Sequence, residues 1–121
     1  ASIGCNVAQI TKSLIFKTKH TNRPVLVLAS GTNRVDEKLI TKAVGEKIVK
    51  ADAQFVREKT GFAIGGVAPC GHKEQIDFVF IDQDLMEHDI LWAAAGTPNT
   101  VFSIQPSFLK PLTDGIIISI K

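Results

Sequence analysis

The stretch KSLIFKTKHTNRPVLVLA, residues 12–29, decides how the fold is organised. Over residues 12–19 successive side chains suit opposite faces, which is the two-residue period of a β-strand. Residues 25–29 are continuously apolar and follow the turn residues 22–24, so they predict a second strand. Two strands joined by a short turn predict a hairpin.

The same signals continue along the rest of the chain. Apolar residues at helical spacing predict a helix over 35–44 that ends at Gly45, and a short helix that starts at Asp52 and runs to Lys59. Pro106 opens a last short helix, and further strands are predicted over residues 76–81, 90–95, 100–104 and 116–120. Strands outnumber helices and several are joined by tight turns. The fold class is therefore α/β in the α+β sense: a curved, mixed, largely antiparallel sheet with flanking short helices.

The composition of the chain excludes several classes of protein. The 121 residues, 45% of them hydrophobic and 21% charged, predict one globular domain over 1–121 and exclude a disordered chain. No apolar run reaches the ~18 residues of a membrane span, so no membrane partner is expected. Cys5 and Cys70 form no disulfide framework, which favours a reducing, cytoplasmic location.

The net charge of +2 conceals an asymmetry between the two halves of the chain. Residues 1–60 carry 11 basic and 5 acidic side chains, whereas residues 61–121 carry 3 and 7. A solvated surface distribution is one interpretation. The other is a basic face that meets a polyanion.

The segment GFAIGGVAPCGH, residues 61–72, is the strongest candidate for chemistry. Four glycines and a proline allow close backbone approach to a ligand, with amides free to face a carbonyl or an oxyanion. The segment lacks the Lys-Ser/Thr of a phosphate-binding loop and the helix start of a dinucleotide-binding fingerprint. A purely structural turn between helix and sheet is the alternative.

Two further groups of residues are candidates for a functional site. Lys17 shares a strand face with Ile15, so its stem can cross apolar surface and bring the ammonium to a phosphate at a cleft rim. A solvated edge lysine is the alternative. Cys70 and His72 lie two residues apart, which suits neither a zinc-binding pair nor a nucleophile and its base, so no metal is predicted.

These segments together resemble the YbaK / prolyl-tRNA-synthetase-associated editing domain family. The resemblance rests on KSLIFKT at 12–18, NRVDEK at 33–38, TGFAIGGVAP at 60–69 and AAGTPN at 94–99, in the family's order. The third block is similar to the family's Thr-Gly-x-x-x-Gly-Gly-x-x-Pro loop. The family usually begins with an upstream helix, for which residues 1–4 stand as a remnant, so an N-terminal segment of the family is expected to be missing.

The resemblance implies hydrolysis of the ester that joins a small non-cognate amino acid to the 3′ terminal adenosine of tRNA-Pro or a related tRNA, without a cofactor. It implies the tRNA acceptor end as partner, with transient contact to an aminoacyl-tRNA synthetase. By position, the catalytic residues are Lys17, Gly65 and Gly66, with Lys17 at the terminal phosphate or ribose. The substrate-binding residues are Thr18, Ile64, Pro69, His72, Gly96, Thr97 and Asn99.

One departure from the family pattern concerns the substrate. Relatives of the cysteine-specific bacterial deacylase carry an acidic residue shortly after the second glycine turn, where this chain has Val101. This difference favours serine, threonine or alanine over cysteine as the amino acid that is removed from the tRNA. The alternative from another class is a module of the same fold that binds tRNA or its aminoacylated end without hydrolysing it.

Overall fold

The computed structural model describes residues 7–63, 66–69, 71–96 and 100–121. Three short 3₁₀ turns, Val7–Gln9, Gln83–Glu87 and Pro106–Phe108, accompany the regular elements. The strands are β1 Ile10–Thr18, β2 Pro24–Ser30, β3 Ile48–Lys50, β4 Phe78–Asp82, β5 Leu91–Ala94, β6 Val101–Ile104 and β7 Ile116–Ile118. The helices are α1 Glu37–Val44, α2 Ala53–Thr60 and α3 Leu109–Thr113.

The described strands form one sheet in the order β6-β5-β1-β2-β4-β7, with β3 beside β1. The predicted β1–β2 hairpin is antiparallel, with Lys17 opposite Pro24 and Thr11 opposite Ser30. The β1–β3 and β5–β6 pairs are also antiparallel, whereas β1–β5, β2–β4 and β4–β7 are parallel. The prediction of one α/β domain on a mixed, mostly antiparallel sheet is confirmed.

Apolar layers cover both faces of the sheet. Leu26 and Leu28 of β2 face a core that includes Val56 of α2. Val25 and Val27 face a second core on the other side. All of residues 25–29 have 0% exposure, which explains why β2 is continuously apolar rather than alternating.

The two longer helices begin and end on the residue types that the sequence indicates. Asp52 caps α2 by accepting the Phe55 N–H at 2.8 Å, and Gly61 closes the helix with φ of +81°. α1 differs slightly from the prediction because it starts at Glu37, with Asp36 as its N-cap rather than in its first turn. Among the described helices, none has the length and apolar character needed to span a bilayer.

Two elements depart from the prediction. β3 was not predicted, because three residues are too short to show a period and pairing with β1 forms the strand. The last predicted helix is divided into the 3₁₀ turn after Gln105 and α3. Neither difference alters the sheet that carries the candidate site.

Candidate functional site

Thr60 closes the base of the glycine-rich loop, residues 61–72. Its side chain is buried, with the hydroxyl donating to the Val56 carbonyl at 2.7 Å and accepting the Phe62 N–H at 3.1 Å. Its carbonyl accepts the Lys73 N–H at 3.0 Å from the far end of the loop. The two ends of the loop therefore meet at one buried residue, so the loop leaves α2 and returns as a closed unit.

The described interior of the loop is buried against the sheet. Val67 belongs to the core that contains Leu26, and Gly66 and Pro69 are also buried. The Gly66 N–H donates to the Ala63 carbonyl at 2.9 Å, so this amide tightens the loop rather than facing a ligand. Within the described part of the loop, the N–H groups of Val67 and Ala68 donate to no acceptor.

Phe62 joins the loop to the second glycine turn. Gly96 has φ of +100°, and a Cβ at that position would lie 3.3 Å from Phe62 Cε1. The Phe62 ring also meets the His72 ring edge to face, with 6.0 Å between centroids. Pro69, His72 and Gly96, all predicted site residues, are therefore brought to one region, and Phe62, which sequence reasoning missed, lies between the last two.

His72 is held within the loop as a hydrogen-bond donor. Its Nε2 donates to the Ala68 carbonyl at 2.7 Å. Burial lowers the pKa of His72, and the hydrogen bond to Ala68 offsets part of that effect, so the net pKa lies below its ordinary value. The neutral imidazole thus keeps its proton on Nε2, which leaves Nδ1 as an acceptor for a water or a substrate hydroxyl.

The lowered pKa of His72 predicts a loss of stability on mild acidification. Between the pKa of the folded state and about 6.5 the unfolded chain binds more protons, so the free energy of unfolding decreases as pH falls through this window. We expect His72→Gln to flatten that dependence between pH 7 and pH 5. Urea unfolding at a series of pH values measures it, and an equal slope for both proteins would contradict the prediction.

Lys17 lies where the alternation of β1 places it. Its Nζ is 5.5 Å from the centroid of the Phe55 ring of α2, so the ammonium lies over an aromatic ring. Thr18 faces the other side, is 1% exposed, and shares a 2.6 Å hydrogen bond with the Thr21 hydroxyl while accepting the Arg23 N–H at 2.8 Å. Its hydroxyl belongs to the hairpin turn, so the structure does not bring Thr18 into the site with Lys17.

Two buried hydroxyls on β1 were also missed by sequence reasoning. Thr11 Oγ1 and Ser13 Oγ have no hydrogen-bond partner among the described residues. Alternation along β1 places both on the face that carries Ile15 and Lys17. The other lysine of β1, Lys12, faces the opposite side and donates to the Asn33 carbonyl at 3.0 Å.

An open groove lies beside the loop. It has a volume of about 410 Å³ and runs from Pro69 and His72 to the start of β4 and the end of α3. The acidic residues Glu74, Asp77 and Asp114 are among those that line it. Across the described ranges, no group of three or more His, Cys, Asp or Glu side chains is arranged to hold a metal ion.

The remaining predicted residues are placed as follows. Ile64, Gly65, Thr97 and Asn99 lie outside the described residues, as do Cys5 and Cys70. Val101, at the position where the family resemblance predicts an acidic residue for cysteine specificity, starts β6 and is 44% exposed. The structure thus gives the position of the departure but no contact that reads the substrate.

The comparisons agree on one family. The family model described as "Aminoacyl-tRNA editing domain" matches residues 1–110. "Uncharacterized protein YwhH" of Bacillus subtilis is 30% identical over 109 residues, which cover 90% of this chain and 68% of that protein. "Putative Cys-tRNA(Pro)/Cys-tRNA(Cys) deacylase EbsC" of Enterococcus faecalis is 26% identical over 115 residues, 94% of this chain and 69% of that protein.

A solved structure supports the same assignment. The structure described as "Crystal structure of a putative trans-editing enzyme for prolyl tRNA synthetase" superposes with a TM-score of 0.93 at 40% identity. The match covers 99% of this chain and 74% of that one. The chain belongs to the aminoacyl-tRNA editing domain family.

Proposed function

We propose that this protein hydrolyses the ester bond of mischarged aminoacyl-tRNA, acting in trans on a small non-cognate amino acid attached to tRNA-Pro or a related tRNA. The observation that carries the proposal is the closed glycine-rich loop, with its second glycine turn packed against Phe62, in a chain of the editing family. The relatives described as deacylase and trans-editing enzyme support it.

The chemistry requires little from side chains, because an aminoacyl ester is already activated. We assign the carbonyl oxygen of the ester to the N–H groups of Val67 and Ala68, which donate to no acceptor within the described part of the loop and would stabilise the developing negative charge. One well-aimed oxyanion donor contributes about 3 kcal/mol to the transition state. A water positioned by the substrate's own ribose hydroxyl and by Nδ1 of His72 attacks the carbonyl, and the ribose oxygen leaves with a proton.

Lys17 is assigned to the phosphate of the terminal nucleotide. Its ammonium lies near the end of β1 and over the Phe55 ring, where it presents a point charge suited to a phosphate. The amino acid is assigned to the serine, threonine or alanine class. The exposed Val101 supports that choice over cysteine, because it supplies no acidic group.

A deacylation panel tests the proposed function directly. We expect the purified protein to release serine, threonine or alanine from mischarged tRNA-Pro faster than cysteine, measured as loss of labelled aminoacyl-tRNA over time. Correctly charged tRNA-Pro is the matched control and should persist. The absence of hydrolysis with all four amino acids would disprove the proposal.

A non-catalytic binding module is the second candidate. It is favoured by Val101, which stands where the cysteine-specific relatives carry an acid. The same time course separates the two functions, since a module would retain aminoacyl-tRNA in a complex while its ester bond decays at the uncatalysed rate.

A further inference from the structure

Lysines cluster around Phe55, outside the glycine-rich loop. The ammonium groups of Lys17 and Lys59 lie 5.5 and 5.8 Å from the centroid of its ring, both within the range of a cation–π interaction. Lys59 follows Phe55 by one turn of α2, whereas Lys17 comes from β1. Phe55 is half-buried: one part of the ring packs on the core and another part meets solvent.

Further lysines continue from this ring along the β1–β3 edge of the sheet. We call this surface the basic edge, and it comprises Lys17, Lys19, Lys47 and Lys59. The Lys19 N–H donates to the Lys47 carbonyl at 2.8 Å, which holds these two residues side by side. Four of the eleven basic side chains of residues 1–60 therefore belong to the basic edge.

The carboxylates near the basic edge are already used by the fold. Asp52 caps α2, Glu58 accepts a hydrogen bond from Gln54, and Glu46 accepts the backbone N–H groups of the β1–β2 turn. Lys59 has an ion pair with Glu74 at 3.4 Å, but the side chains are 28% and 50% exposed. Exposed pairs of this kind contribute little, so an incoming phosphate can replace Glu74 at small cost.

We propose that Phe55 and Lys59 bind the single-stranded 3′ end of tRNA, with a base stacked on the open part of the Phe55 ring and a backbone phosphate at Lys59. An aromatic face beside fixed cations is the arrangement that binds single-stranded nucleic acid with little sequence preference. In this arrangement the platform would hold a nucleotide that precedes the terminal one, whose phosphate is assigned to Lys17. The inference rests on the proposed function, because the same 3′ end must reach the glycine-rich loop.

Two substrates distinguish an effect on base stacking at Phe55 from an effect on ester hydrolysis. Phe55→Leu keeps an apolar side chain against the core but removes the stacking face. We expect it to lower kcat/KM for mischarged tRNA about tenfold, the effect of losing one base stack, and to leave hydrolysis of a 3′-O-aminoacyl adenosine 5′-monophosphate, which retains the phosphate assigned to Lys17, at the wild-type rate. The short substrate lacks the nucleotide that would stack.

Lysine variants test the phosphate contact by salt dependence. Lys59→Gln should reduce the slope of log kcat/KM against log salt by about 0.7, as expected for one lost contact to a single strand. Lys42→Gln is the matched control, because Lys42 is an exposed lysine in the last turn of α1, which packs on the opposite face of the sheet. It should leave the slope unchanged.

Each outcome decides the proposal. The proposal would be overturned if Phe55→Leu lost kcat/KM equally on mischarged tRNA and on the short substrate, or kept the wild-type rate on both. If the wild-type protein hydrolyses neither substrate, the proposed function fails, and binding then tests the platform by itself. Fluorescence anisotropy with intact tRNA and with tRNA lacking its last three nucleotides should show weaker binding of Phe55→Leu to intact tRNA alone; equal affinities of the two proteins would refute the platform.

Discussion

Lys17→Ala should lower kcat/KM for mischarged tRNA by roughly ten- to a hundredfold, because a charge-assisted hydrogen bond contributes about 1.5–3 kcal/mol. The ammonium is held by β1 and rests against the Phe55 ring, so its removal takes away a positioned charge. The circular dichroism spectrum should stay near that of the wild type, since this ammonium has no ion pair among the described residues.

The second lysine of β1 provides the matched comparison. Lys12→Ala removes the same charge from the same strand, but on the other face, where the ammonium donates to the Asn33 carbonyl. We expect this variant to keep most of its hydrolytic activity. The reverse result, an active Lys17→Ala and an inactive Lys12→Ala, would refute the assignment of Lys17 and transfer the phosphate contact to Lys12.

The local elements were predictable because each has its own sequence signal. Alternation in residues 12–19 and the apolar run in 25–29 place β1 and β2, and Asp52 and Gly61 mark the ends of α2. The strand order was not predictable. The β1–β5 pair joins Ile10 and Thr11 to residues about eighty positions later, and no local pattern encodes such a contact.

The candidate site also has parts that could be predicted from the sequence and parts that could not. The two glycine segments could be found in the sequence, but the role of Phe62 depends on the packing of one segment against the other. Thr18 illustrates the opposite case. Alternation already placed it on the face away from Lys17, whereas the resemblance assigned it to the substrate, and the structure follows the alternation.

The buried hydroxyls of Thr11 and Ser13 required tertiary information as well. Both are polar residues at alternate positions of β1, so the sequence pattern predicts that they face solvent. The structure buries them because β2 and β5 flank β1 and an apolar core covers this face. A β-strand can thus bury polar side chains that its alternating pattern assigns to the surface. Here these side chains have no hydrogen-bond partner among the described residues.

Asp82→Ala should destabilise the fold by about 3 kcal/mol, since it removes the acceptor of three hydrogen bonds, one of them from the buried Ser30 N–H. The Asp82 carboxylate is 1% exposed and accepts hydrogen bonds from Ser30 N at 3.0 Å, Asn33 Nδ2 at 2.7 Å and Asp84 N at 3.0 Å. These bonds tie the ends of β2 and β4 together. Without the carboxylate, the buried Ser30 N–H and the Asp84 N–H lose the acceptor they have in the fold, whereas Asn33 Nδ2 keeps its second hydrogen bond, to Asp84 Oδ2 at 2.8 Å.

Urea unfolding measures this effect against Asp89→Ala, which removes the same side chain from an exposed position. We expect the urea midpoint of Asp82→Ala to fall. The free energy of unfolding of Asp89→Ala should change by less than about 0.5 kcal/mol, and the m-value of both variants should stay unchanged. Equal stability of the two variants would show that relaxation or entering water satisfies the freed donors. The hydrolytic activity should persist below the new midpoint, because Asp82 lies at the ends of β2 and β4 opposite to those nearest Lys17.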